Sequence, residues 1–154
     1  SEVDVDFVTL IRLPKMWVAD VAISHDDQGW RHWANWIEVE RADDERGKRL
    51  LRRDIRRPVE EGKERQLYRL YLDTLPEDCL KLRVLGHCKV HSFGGKSVVV
   101  DLQNKKGKDY EIKKKRLNWK KYQYFEGEED FMRVPRMRSL YENEERFSLD
   151  ELRP

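Results

Sequence analysis

Cysteine is nearly absent from this chain, with two residues in 154, and proline and glycine are sparse at five and eight. Cys79 and Cys88 form no disulfide framework and match no metal or redox spacing, which points to a reducing compartment. No apolar run approaches the roughly 20 residues of a membrane helix. There is no glycine-rich phosphate loop, and no Ser-His-Asp or Cys-His arrangement stands out. Residues 1–6 read SEVDVD, acidic where a secretory leader would be basic. These absences lead us to expect an intracellular protein, cytoplasmic or nuclear, with no membrane partner. The length suits a single domain, residues 1–154, read here as excised from a longer protein.

Charge is abundant but nearly cancels: 40% of residues are charged and the net charge is only +2. Five Trp, six Tyr and five Phe supply the large apolar groups that a disordered chain lacks. The charges are arranged in blocks. Residues 46–57 read RGKRLLRRDIRR, and residues 105–121 carry nine cations against Asp109 and Glu111. Residues 126–154 form an acidic C-terminal segment, suited to pairing with the basic blocks or to docking a protein partner.

Local patterns predict an α+β domain with a mostly antiparallel sheet. Residues 6–13 and 16–23 read as strands, and residues 30–39 as a third. Residues 43–57 read as a short helix, with a hairpin turning at 43–47 as the alternative. Residues 60–75 carry Leu67, Leu70, Tyr71 and Leu75 at helical spacing behind an acidic start, which predicts a helix ended by Pro76. A three-strand meander is expected around residues 80–117, with Gly94-Gly95 as a tight turn. Short helical segments are expected near 138–147 and 149–152. Trp17, Trp30, Trp33 and Trp36 read as core.

The basic hairpin carries the leading functional expectation. Lys105, Lys106, Lys108, Lys113, Lys114, Lys115, Arg116, Lys120 and Lys121 are interleaved with Tyr110, Trp119, Tyr122 and Tyr124. Cations attract phosphate and aromatic faces stack on bases. Arg49, Arg52, Arg53 and Arg56 would add bidentate phosphate contacts. The expected function is therefore a non-catalytic nucleic-acid-binding module, DNA favoured over RNA, of a nucleic-acid-processing or mobile-element protein. The bland alternative is a solvated hairpin that guards a sheet edge. A third class is a protein–protein adaptor acting through the acidic segment.

Asp101 and Glu111, with Lys113 two residues on, would face one another if the hairpin turned about Lys106. An acidic helix followed by D-x(n)-E-x-K on a hairpin resembles the PD-(D/E)XK nuclease superfamily over residues 60–117. That resemblance implies Mg²⁺ held by Asp101 and Glu111, with Lys113 stabilising charge. The chain departs from the pattern in having no proline before Asp101. Outside this alternative no cofactor is expected. His87 and His91 flank Cys88, but on a strand they stand too far apart to chelate and Cys88 points the other way. His25 and His32 have no companion motif, so no metal ligand is assigned.

Overall fold

A computed structural model describes residues 1–73 and 75–114. Nine strands form two sheets: β1 (Asp4–Arg12), β2 (Trp17–Ser24), β3 (Ala34–Arg41), β4 (Arg49–Asp54), β5 (Arg65–Leu72), β6 (Lys81–Cys88), β7 (Val98–Asp101), β8 (Lys106–Gly107) and β9 (Tyr110–Lys114). One sheet has the order β5-β2-β1-β9-β8 and the other β4-β3-β6-β7. Every pairing is antiparallel except β1 with β9.

The sheets face each other across one apolar layer. Rows Val8–Val21–Tyr68–Tyr110 and Leu10–Ala19–Leu70–Ile112 cross the first sheet. Ile37, Val39, Leu82, Val84, Val98 and Val100 meet them from the second. Alternation along each strand generates these faces. In β1 the register shifts between Val5 and Phe7, so Val3, Val5, Val8 and Leu10 all reach the core.

The α+β expectation is overturned: the described residues are nearly all β and contain no helix. The predicted helix at 60–75 is strand β5, paired along its whole length with β2. Gln66, Tyr68, Leu70 and Leu72 face the core, and Leu67, an anchor of the supposed helical stripe, is 55% exposed. Buried Gln66 finds its partner in the 25–33 loop and buried Arg69 on β2, so tertiary pairing overrides a local pattern that fits either period. Residues 43–57 form a turn and strand β4 rather than a helix. The meander is also corrected, because β7 stays beside β6 while β9 joins β1 in the opposite sheet. The expected helical segments near 138–147 and 149–152 lie outside the described residues.

The tryptophans also divide. Trp33 is buried, but Trp30 is 61% exposed. Trp36 lies on the outer face of its sheet, between His87 (ring centroids 3.4 Å) and the Arg52 guanidinium at 3.6 Å. The tight turn expected at Gly94-Gly95 falls instead at residues 89–93, closed between Cys88 and Ser92, and the glycine pair follows it. A Cβ on Gly95 would stand 1.9 Å from the Val3 carbonyl oxygen, so the glycine pair admits the N-terminal segment at close range.

Arg41 fixes the β3–β4 turn against residues 78–80. It donates to both carboxylate oxygens of Asp43, at 2.9 and 3.0 Å, and to Asp78 at 3.2 Å. The Leu80 N–H also donates to Asp43, at 2.7 Å. The Arg41 guanidinium, ahead of the backbone N–H, holds the Asp43 carboxyl well below the usual carboxylate range. A depressed folded-state pKa adds stability above the unfolded value of about 3.9, and that stability is lost as pH falls through the folded value. Asp43→Asn should therefore melt lower than the wild type at neutral pH, and the gap between them should close in strong acid. A gap independent of pH in thermal melts would refute this ion pair's role.

Candidate metal centre

The site is built at the end of the sandwich where β2 and β6 run out. Ser24 ends β2, and residues 25–33 form a loop that returns into β3. Gly29, at φ 81°, lets this loop close on itself through Gln28 N–H to His32 O (2.7 Å) and His32 N–H to Gly29 O (3.2 Å). Cys88 ends β6 opposite Ala34, and a tight turn carries His91 back beside it.

Asp27 organises the loop. It is 1% exposed. One carboxylate oxygen accepts from His25 Nδ1 at 2.6 Å, the Ala34 N–H at 3.1 Å and Gln66 Nε2 at 3.1 Å. The other accepts from the Val59 N–H at 3.0 Å. Burial and the Asp27 charge push the Tyr68 phenol up to about 12. Its hydroxyl donates to Gln66 Oε1 at 2.7 Å, which orients the Gln66 amide toward Asp27.

These contacts set the imidazoles. His25 turns Nδ1 to the Asp27 carboxylate, and His32 turns Nδ1 to Gln28 Oε1 at 3.2 Å. Gln28 Nε2 donates to Asp26 at 3.3 Å, which assigns the Gln28 oxygen to His32. Where Nδ1 is the only protonated nitrogen, each ring presents an Nε2 lone pair. Both Nε2 atoms approach the same Ser1 carbonyl oxygen, at 3.1 and 3.2 Å. Donor atoms of His25, His32 and Cys88 all lie within 4.8 Å of one another. The buried Cys88 sulfur also accepts the Val90 N–H at 3.4 Å and lies 3.5 Å from His91 Nδ1. Ring contacts run from His25 to His32 to His91, with centroids 4.9 and 5.1 Å apart.

Nitrogen, oxygen and sulfur atoms able to ligate a metal therefore converge on one small volume. A carbonyl oxygen only accepts, so at 3.1 and 3.2 Å each Nε2 either donates an N–H to the Ser1 oxygen or shares a cation with it. A cation with bonds of about 2.0–2.1 Å to nitrogen and 2.3 Å to sulfur would draw its ligands to roughly 3.3–3.6 Å apart. The 4.8 Å spread reaches that with an ångström or so of closure. Ligating histidines characteristically donate their second N–H to a carboxylate or carbonyl, as His25 and His32 do here.

None of these residues was assigned a ligand role from sequence. The missed signal is Cys88-Lys-Val-His91, a thiol and an imidazole three apart across a turn. Reading 87–91 as one straight strand hid it. His87, by contrast, stacks on Trp36, and burial followed by the Arg52 charge lowers its pKa.

The residues singled out from sequence are dispersed. Lys105, Lys106 and Lys108 are exposed around β8, and Lys114 is exposed at the end of β9. Lys113 instead pairs with Glu111 at 3.4 Å. Arg49 pairs with Glu38 at 3.3 Å, and Arg52 pairs with Asp54 at 2.8 Å while covering Trp36. Arg53 lies over Tyr68 on the facing sheet, and Arg56 is exposed. Because β7 packs against β9 while β4 ends the same sheet as β7 on its far side, the lysine turn and the arginine strand occupy opposite edges. Lys115, Arg116, Trp119, Lys120, Lys121, Tyr122 and the acidic segment lie outside the described residues.

The nuclease constellation is not assembled. Asp101, at the end of β7, caps a turn through the Gln103 N–H (3.0 Å) and Asn104 Nδ2 (2.8 Å). Glu111 belongs to β9 in the other sheet, because the chain crosses between sheets at that turn.

No family model matches the chain, and no curated protein matches it. Two solved structures of superoxide reductase (neelaredoxin) from Ignicoccus hospitalis show a similarity, each with a TM-score of 0.39. They are 13% and 12% identical over 73% of this chain and 82% and 80% of theirs. A likeness at that TM-score defines neither a family nor an activity.

Asp27 should be the most sensitive polar position of the loop. Asp27→Ala strands four donors, each costing on the order of 1–3 kcal/mol when buried without a partner, so we expect a loss of about 3 kcal/mol or more. Urea unfolding measures it, and a loss under about 1 kcal/mol would show that the hub is dispensable.

Proposed function

We propose that this β-sandwich binds a first-row transition-metal ion through His25 Nε2, His32 Nε2 and Cys88 Sγ, with His91 beside the sulfur. The observation that carries the reading is the convergence of two imidazoles whose Nδ1 atoms are already committed to Asp27 and Gln28. Imidazole with thiolate suits borderline ions such as zinc, copper, iron and nickel. Cobalt(II) titration of reduced protein tests it. We expect one-to-one binding with a thiolate-to-cobalt charge-transfer band, displaced by zinc. Cys88→Ser should lose the band and Cys79→Ser should keep it. Cys79 lies before β6, a strand about 23 Å long at ~3.3 Å per residue that ends at Cys88, and its sulfur contacts the Lys81 carbonyl at 3.5 Å. A band that survives Cys88→Ser, or none in the wild type, would end the proposal.

A second reading, nucleic-acid binding, is favoured by one observation: Lys105, Lys106, Lys108 and Lys114 are all exposed along one sheet edge. DNA is the favoured partner. Affinity should fall linearly in log–log coordinates as salt rises, with a slope set by the lysines that meet phosphate. Joint Lys105→Glu, Lys106→Glu and Lys108→Glu substitution should flatten the slope and leave the melting temperature unchanged. Absence of binding at low salt would remove this reading. Among the described residues no helix is long and apolar enough to cross a membrane. The free thiols Cys79 and Cys88 fit a reducing compartment, which supports an intracellular placement as a proposal.

A further inference from the structure

Resting on the metal reading, we infer that the ion this centre is built for is copper, and that it exchanges single electrons at the end of the sandwich marked by His91 and Trp30.

The donor set argues for copper. Structural zinc sites use two to four thiolates, whereas this cluster offers one thiolate among imidazoles. Two imidazoles and a thiolate, with a backbone carbonyl as a weak further contact, form the set that suits copper in electron transfer. The Ser1 carbonyl, close to both Nε2 atoms, supplies that oxygen. Copper also stands highest in affinity among the divalent first-row ions.

The donors are held rather than hung. Asp27 and Gln28 fix the two rings, and the Val90 N–H fixes the sulfur. The Ser1 carbonyl is anchored by its own chain. Ser1 Oγ accepts the Asp26 N–H at 3.3 Å, and Val3 is buried beside Gly86 and Gly95. Asp4 accepts the Lys96 N–H at 2.7 Å, and the Val5 N–H donates to the Lys96 carbonyl at 2.8 Å. Once drawn together on an ion, donors held in this way present nearly one geometry to both copper oxidation states. The step is then Cu(II)–thiolate plus one electron from a small outer-sphere reductant, giving Cu(I)–thiolate. The reverse step delivers the electron to an outer-sphere oxidant. No bond forms or breaks, and no proton moves.

There is also a route to the surface. The ring contacts step from His25, 2% exposed, through His32 to exposed His91. Trp33, which is buried, meets the exposed Trp30 edge-on at 5.3 Å. Lys89 Nζ donates to the Trp30 carbonyl at 2.8 Å, which joins the two surface loops, and exposed Val90 lies between Lys89 and His91. An apolar rim beside an exposed imidazole is where a redox partner or small reagent would approach.

The test loads Cu(II) into anaerobic, reduced protein and follows its visible spectrum. We expect an intense thiolate-to-copper band, bleached by ascorbate and restored by ferricyanide over repeated cycles, with both thiols still titratable afterwards. The band should be lost in Cys88→Ser and kept in Cys79→Ser. Trp30→Ser should leave the band in place and slow its bleaching several-fold. Bleaching at the wild-type rate in that variant would overturn the exchange surface. If Cu(II) instead oxidises the thiol and gives no stable band while cobalt binds through Cys88, the copper assignment is overturned and the metal reading stands. If neither ion binds, both fail together.

Discussion

The buried carboxylate of Asp27 holds together the loop on which the proposed metal centre depends. Four donors from four separate stretches of chain end on it: the ring that follows β2, the first residue of β3, a β5 side chain and the Val59 N–H. A carboxylate so enclosed would be costly without those donors. With them it becomes a fixed point about which the loop of residues 25–33 closes. The direction of His25 Nδ1, and hence of His25 Nε2, follows from it.

The proposed metal centre is the functional expression of that constraint. A loop alone would leave His25 and His32 free to turn. Asp27 and Gln28 remove that freedom before any ion arrives, which lowers the entropic cost of binding. The partners come from both sheets, since His25 follows a strand of one and Cys88 ends a strand of the other. The site therefore exists only when the sandwich is closed.

Charge elsewhere is spent largely inside the structure. Asp20 and Arg69 stand opposite each other on β2 and β5, both buried, joined by two hydrogen bonds. Burial raises the Asp20 carboxyl, against the lowering by Arg69 and Lys113. Breaking such a pair by removing one partner costs far more than forming it gains. Arg41, Arg49 and Arg52 are likewise matched with acids. This is how a chain that is 40% charged can build an ordinary apolar core.

The amino-acid sequence by itself determined most strands, because alternation and β-branched runs at β1, β2, β6 and β7 act within a few residues. It left β5 open to misreading, since Leu67, Leu70, Tyr71 and Leu75 satisfy a helical period while pairing with β2 decides the outcome. The spacing of Cys88 and His91 was legible as a pair. Their meeting with His25 and His32, more than fifty residues earlier, was not. Local sequence reports what a segment prefers, whereas a site of this kind depends on which strands lie side by side. Only the closing of one sheet upon the other settled that, and the same closure sent Asp101 and Glu111 to different sheets and the lysine turn and arginine strand to opposite edges.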